Sequence, residues 1–163
     1  MAHDTKPMPT THLGTRERAF LAVARRAVLA TIDRAGRPRL VPICFVLDPR
    51  EPLLVSPLDD KPKAADDPLE LARVRDIRAR PEVAVLVDRW SEDWTRLGWL
   101  RLTGTASIVA PGHAPDGAIE ALRAKYPQYA THRLEARPLI AISITRATSW
   151  GALDAADDVR DEV

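Results

Sequence analysis

The 163-residue sequence predicts a mainly β, α+β protein: an antiparallel barrel with about three helices packed at its ends. Three observations carry this prediction. About six runs of β-branched and aliphatic residues lie between Gly- and Pro-bearing turns, which is the strand-and-turn signature. The elements fall in the order α-β-β-β-α-β-β-α-β, so helices do not alternate with strands as a doubly wound parallel sheet requires. Within Trp99 to Val109, side chains alternate strictly. Leu100 and Leu102 point one way and Trp99, Arg101 and Thr103 the other.

This length suits one domain with a sizeable core. A formal net charge of +1 argues against a general nucleic-acid coat. Arginines nevertheless crowd residues 16–39 and 73–101, and the last ten residues hold four aspartates and a glutamate. The apolar runs are too short to cross a bilayer, and no N-terminal segment has the layout of a secretory leader. The single cysteine, Cys44, cannot form an intramolecular disulfide. A reduced, cytoplasmic setting is the expectation. Residues 1–13 read as a flexible segment, 14–152 as one domain, and 153–163 as an acidic flexible tail.

The elements follow in order. Phe20, Val23, Ala24 and Ala27 recur at helical spacing between Thr15 and Ala27, giving an amphipathic helix that closes one end of the barrel. Val28–Ile32, Leu40–Leu47 and Leu53–Ser56 then form a three-strand meander, its first turn at Asp33-Arg34-Ala35-Gly36. Pro42 deletes a ladder donor from the second strand, which makes that strand an edge or marks a bulge. Either way, backbone groups around Pro42–Cys44 are candidates for ligand contact. Asp67-Pro68-Leu69-Glu70 predicts a capped helix start, with Leu71, Val74 and Ile77 as its buried stripe and Pro81 beyond its end. Val83–Val87 is continuously apolar and predicts a strand buried on both faces. Gly104 marks a bulge or a close backbone approach. A third helix is expected from about Asp116 to Tyr126, with Ile119, Leu122 and Tyr126 inward. Leu139–Thr145 is the last strand and leads to Ser149-Trp150-Gly151.

The order of these elements and several local motifs resemble the flavin-binding split-barrel superfamily. That superfamily includes the pyridoxamine-phosphate-oxidase-like proteins and the deazaflavin (coenzyme F420)-dependent reductases. The residues that carry the resemblance are Ala30 to Pro38, Val41-Pro42-Ile43, Phe45 to Asp48, Asp60-Lys61-Pro62-Lys63, Arg80 to Asp88, Trp99 to Ala106 and Ile144 to Gly151. Together they span roughly residues 15–152. Glu92 to Trp99 is similar to a subgroup assigned to deazaflavin-dependent oxidoreductases. The resemblance implies an antiparallel split β-barrel and a homodimer with two cofactor sites at the subunit interface. The implied cofactor is F420, with FMN as the alternative, and the implied substrate a small conjugated acceptor. Two features depart from the family pattern. The spacer between Lys63 and Pro81 is long, and Asp59 and Asp60 stand where small or basic residues are expected. Carboxylates at those positions oppose a phosphate.

Hydride transfer with such a cofactor is the ring's chemistry, and the protein supplies position and electrostatics. The sequence fits that division of labour. It holds no nucleotide-binding glycine fingerprint, no phosphate loop and no metal-ligand spacing. His3, His12, His113 and His132 are scattered and read as ordinary surface residues. Cys44 reads as a small buried filler with no base beside it. Lys61 and Lys63 are the candidates for anion contacts, as phosphate-binding point charges, against a reading as solvated loop lysines. The family's cofactor borders the strand of Arg101, so Arg101 is placed either against an anionic part of it or in an inter-subunit ion pair. Trp99 and Trp150 pack either on the ring or across the dimer interface. Backbone groups of Ile43, Cys44, Phe45 and Val46 are candidate ring contacts. No catalytic residue is assigned. A non-catalytic flavin, deazaflavin or haem binder and a ligand-free interaction module are the rivals from other classes.

Overall fold

The computed structural model describes residues 8–10, 12–58 and 67–154. Among these residues, eight strands form one antiparallel sheet, flanked by three α-helices. The chain runs β1 (Met8–Thr10), α1 (Thr15–Val23), β2 (Ala27–Ile32), β3 (Pro38–Ile43), β4 (Val46–Leu47) and β5 (Leu53–Pro57). It continues as α2 (Ala72–Ala79), β6 (Glu82–Arg89), β7 (Gly98–Val109), α3 (Ala118–Lys125) and β8 (Leu139–Gly151). The spatial order is β3-β2-β6-β7-β8-β5-β4, with β1 pairing the second half of β8.

The most informative departure from the sequence reading lies at Leu40–Leu47, expected as one strand. It is two. β3 pairs only with β2, at one end of the order, and β4 pairs only with β5, at the other. Cys44 and Phe45 are all that separates them. Two residues therefore join the two edges of the sheet and curl it into a barrel. β3 is an edge, as Pro42 indicated, and an edge strand is where a residue without an N–H is tolerated.

The barrel interior holds Leu29, Phe45, Leu54, Val85, Leu100, Leu102 and Ile142. Phe20 and Leu21 of α1, and Val74 and Ile77 of α2, close it. A second core lies outside the barrel wall, where Leu122 of α3, Tyr126 and Tyr129 pack on Val46, Val55 and Leu139. Strand alternation explains the pairing: Leu54 faces the first core and its neighbour Val55 the second. Helix α3 thus covers the outer face of the β4-β5-β8 half. No described element covers the outer face of the β3-β2-β6-β7 half.

That bare face corrects a second expectation. Val83–Val87 is not buried on both sides. Val83, Val85 and Val87 are buried, whereas Ala84 is half-buried and Leu86 is 39% exposed. Leu40, on the same face, is 68% exposed. The expected capped helix at Asp67 also divides. The Asp67 carboxylate accepts from the Leu69 N–H at 2.8 Å, but it caps a single 3-10 turn, Pro68–Glu70. Leu71 is then extended and buried in the core, and α2 starts afresh at Ala72. The need to bury Leu71 breaks the helix that local capping would have continued. The last strand runs on to Gly151 instead of ending at Thr145, because β7 and β1 pair with its second half.

Gly104 fulfils both readings given to it. The β7–β8 register shifts between Thr103 and Gly104, and a Cβ at Gly104 would collide with the Ser143 carbonyl. Only a residue without a side chain lets the two backbones approach this closely.

Candidate functional site

Register places four of the candidate residues on the same outward side of the sheet, Pro42, Trp99 and Arg101 on the half that no described element covers and Trp150 on the adjoining end of β8. Pro42 pairs with Val28, Val28 with Leu86, Leu86 with Arg101, and Arg101 with Thr148. Paired residues in an antiparallel sheet point to the same side, so this row crosses five strands on one face. At ~4.8 Å per strand, Pro42 and Arg101 stand about 14 Å apart. In the next outward-facing row, Trp99 and Trp150 are direct cross-strand partners, with Asp88 on the other side of Trp99. Both tryptophans are half-buried. The Arg101 guanidinium lies 5.9 Å from the centre of the Trp99 ring, within cation–π range. Arg101 is exposed, and its stacking on Trp99 is the one side-chain contact it makes among the described residues. The face therefore offers two aromatic surfaces, an available cation and an apolar flank at Leu86, Leu40 and Pro42.

The remaining candidates separate. Ile43 points into the barrel core, 6% exposed. Cys44 and Phe45 occupy the crossing between β3 and β4, with Phe45 fully buried and Cys44 half-buried against the second core. Cys44 is thus only partly the buried filler expected. Phe45's main chain is engaged. Its N–H donates to the Tyr126 hydroxyl at 3.0 Å, and that hydroxyl donates back to its carbonyl at 3.1 Å. Burial pushes the Tyr126 phenol up to about 12, partly countered by its hydrogen bond to Phe45. Lys61 and Lys63, with Asp59 and Asp60, lie outside the described residues.

Sequence reading missed a second group at this crossing. Lys125 donates to the Leu21 carbonyl of α1 at 2.9 Å, and its ammonium sits 3.9 Å above the Phe45 ring. Arg25 donates to the Lys125 carbonyl and stacks 4.9 Å from the Tyr126 ring centre. Burial lowers the Lys125 ammonium to about 8, with Arg25 adding to the shift and Cys44 opposing it. Nothing in the local pattern marks Lys125, because its partners come from positions about 80 and 100 residues away. A second network ties α2 to the barrel. The buried Asp76 carboxylate accepts from Thr31 Oγ1 at 2.8 Å and Arg39 Nε at 2.9 Å. Among the described residues, no three His, Cys, Asp or Glu side chains are grouped to hold a metal ion.

The family model for pyridoxamine 5'-phosphate oxidase matches residues 14–151. The chain belongs to this family. Solved structures of similar proteins share its fold. A conserved hypothetical protein from Mycobacterium tuberculosis aligns with a TM-score of 0.64 at 20% identity, over 90% of each chain. An F420 reductase aligns with a TM-score of 0.58 at 23% identity, over 80% of this chain and 94% of its own. A Listeria innocua protein described as a candidate pyridoxamine 5'-phosphate oxidase aligns at 0.54 and 18%, over 79% and 90%. At these identities the likeness carries the fold: the split barrel of the pyridoxamine 5'-phosphate oxidase family, closed in this member by the β3–β4 crossing.

Proposed function

We propose that the chain is a deazaflavin (coenzyme F420)-dependent oxidoreductase that works as a homodimer, with the cofactor held against the bare sheet face. One observation carries the reading: Trp99, Trp150 and an uncommitted Arg101 stand together on a face that no described element covers. A planar, anionic cofactor matches that chemistry. The indole rings offer stacking or edge contacts, and Arg101 offers a fork of donors to an anionic group. Lys61 and Lys63 are proposed to add point charges toward the phosphodiester. When bound, the cofactor supplies the hydride. The residues of this chain bind it, orient it and exclude water, and the acceptor is proposed to be a small conjugated molecule.

Membership of the pyridoxamine 5'-phosphate oxidase family also supports FMN as cofactor, while the structural likeness to an F420 reductase favours the deazaflavin. Equilibrium titration with both, side by side, separates the two readings. F420 is expected to bind with micromolar affinity and FMN more weakly. Each charge-assisted contact contributes roughly 1.5–3 kcal/mol, so Arg101→Ala and the double change Lys61→Ala, Lys63→Ala should each weaken binding about tenfold or more. Tighter binding of FMN transfers the assignment to flavin, and binding of neither removes it. Binding of F420 without consumption of its reduced form across a panel of acceptors makes the protein a carrier.

A further inference from the structure

We propose that the cleft between the end of α1 and the diverging ends of β2 and β6 binds a small organic anion with an apolar body, an aryl or alkyl carboxylate. The cleft exists because the two strands part. Their ladder ends at Val28 opposite Leu86, whereas β6 stays paired with β7 as far as Arg89 opposite Gly98. Carried on by two positions, the same register sets Arg26 across from Asp88. The chain instead turns away at Ala24 toward α1. The resulting cavity is about 350 Å³, toward the small end of the range for ligand sites.

Its lining has two characters. Val23 and Ala24 supply an apolar wall above the buried Phe20, and Val23 is half exposed there. Arg25, Arg26 and Arg89 line the cleft together with one acidic residue, Asp88. Two of the three are braced. Arg89 donates to the Ala152 carbonyl at 2.7 Å and lies 5.0 Å from the Phe20 ring centre, and Arg25 is tied to Lys125 and Tyr126. Arg26 is exposed and makes no hydrogen bond or ion pair among the described residues. The Arg26 guanidinium carries five donors in a planar fork. An excess of positive charge beside exposed aliphatic surface favours a carboxylate that brings its own apolar body. An apolar body gains by covering Val23 and a carboxylate by pairing with Arg26, and an inorganic anion or an uncharged ring has only one of the two.

The cleft borders the proposed cofactor face through Asp88, the cross-strand partner of Trp99, and is therefore tested on cofactor-free, full-length protein. Isotope-labelled protein is titrated with sodium benzoate while backbone amides are followed by NMR. Saturable shifts are expected at Val23–Arg26 and Asp88–Trp90, with benzyl alcohol and sulfate each binding about tenfold more weakly or worse. Arg26→Ala should weaken benzoate by about tenfold, and Asp88→Asn, which removes the opposing charge, should tighten it several-fold. Arg26 is exposed, so its replacement should leave amide positions elsewhere unchanged. The proposal is overturned by shifts that do not saturate, by sulfate or benzyl alcohol binding as well as benzoate, or by Arg26→Ala binding like the wild type.

Discussion

Lys125 shows how one side chain serves two distant parts of the chain at a cost. Its ammonium hydrogen-bonds the end of α1 and covers Phe45, yet it does so out of water and near Arg25. Its pKa falls from 10.5 to about 8 for that reason, desolvation first. Between those two values the unfolded chain keeps a proton at Lys125 that the folded chain has released. The contribution of Lys125 to stability therefore rises with pH across that window, and below it the burial cost stands in full. Wild type should gain on Lys125→Met by roughly 1–2 kcal/mol between about pH 7.5 and pH 10 in denaturant titrations. A difference that stays flat with pH would mean that the ammonium is solvated. The sequence carries no sign of any of this. Lys125 stands in a helix whose inward residues, Ile119 and Leu122, were legible from spacing, and a lysine at that helix's end reads as solvated.

Among elements, the β3–β4 crossing decides the architecture. Leu40–Leu47 is apolar enough to be read as one strand, and periodicity cannot register that its halves pair with opposite sheet edges. Pro42 gave the only local hint, and it correctly marked an edge. What fixes the crossing is Tyr126, whose hydroxyl satisfies both main-chain groups of Phe45 in a buried setting. Tyr126→Phe would leave a buried N–H and carbonyl without that partner. A loss of about 1–3 kcal/mol is expected, seen as a fall of several degrees in Tm. A Tm within about a degree of wild type would show that water replaces the hydroxyl. The helix at Asp67 teaches a related lesson. Its capping residues were legible and do cap a turn, but the burial of Leu71 outweighs continuity and α2 begins later.

At the scale of the molecule, the two halves of the sheet are treated unequally. α3 and its aromatic cluster cover one outer face, whereas the other presents Leu40, Leu86 and Pro42 beside Trp99 and Trp150. An apolar sheet face of this kind calls for a cover, and the proposed homodimer supplies one. Changing Leu86→Arg and Leu40→Asp together should convert a dimer into a folded monomer in analytical ultracentrifugation. A wild type that sediments as a monomer at micromolar concentration removes both the dimer and the interfacial cofactor site. Most strands and helices, the Gly104 approach and an antiparallel barrel were legible in local pattern, because alternation, helical spacing and turn residues act over a few neighbours, whereas the split-barrel class came from the order of motifs that resembles a known family. Which strands became edges, which face stayed bare, and which cations gathered at the end of α1 were decided by the tertiary structure alone. Those outcomes depend on contacts between residues tens of positions apart, and no short-range pattern in the chain encodes them.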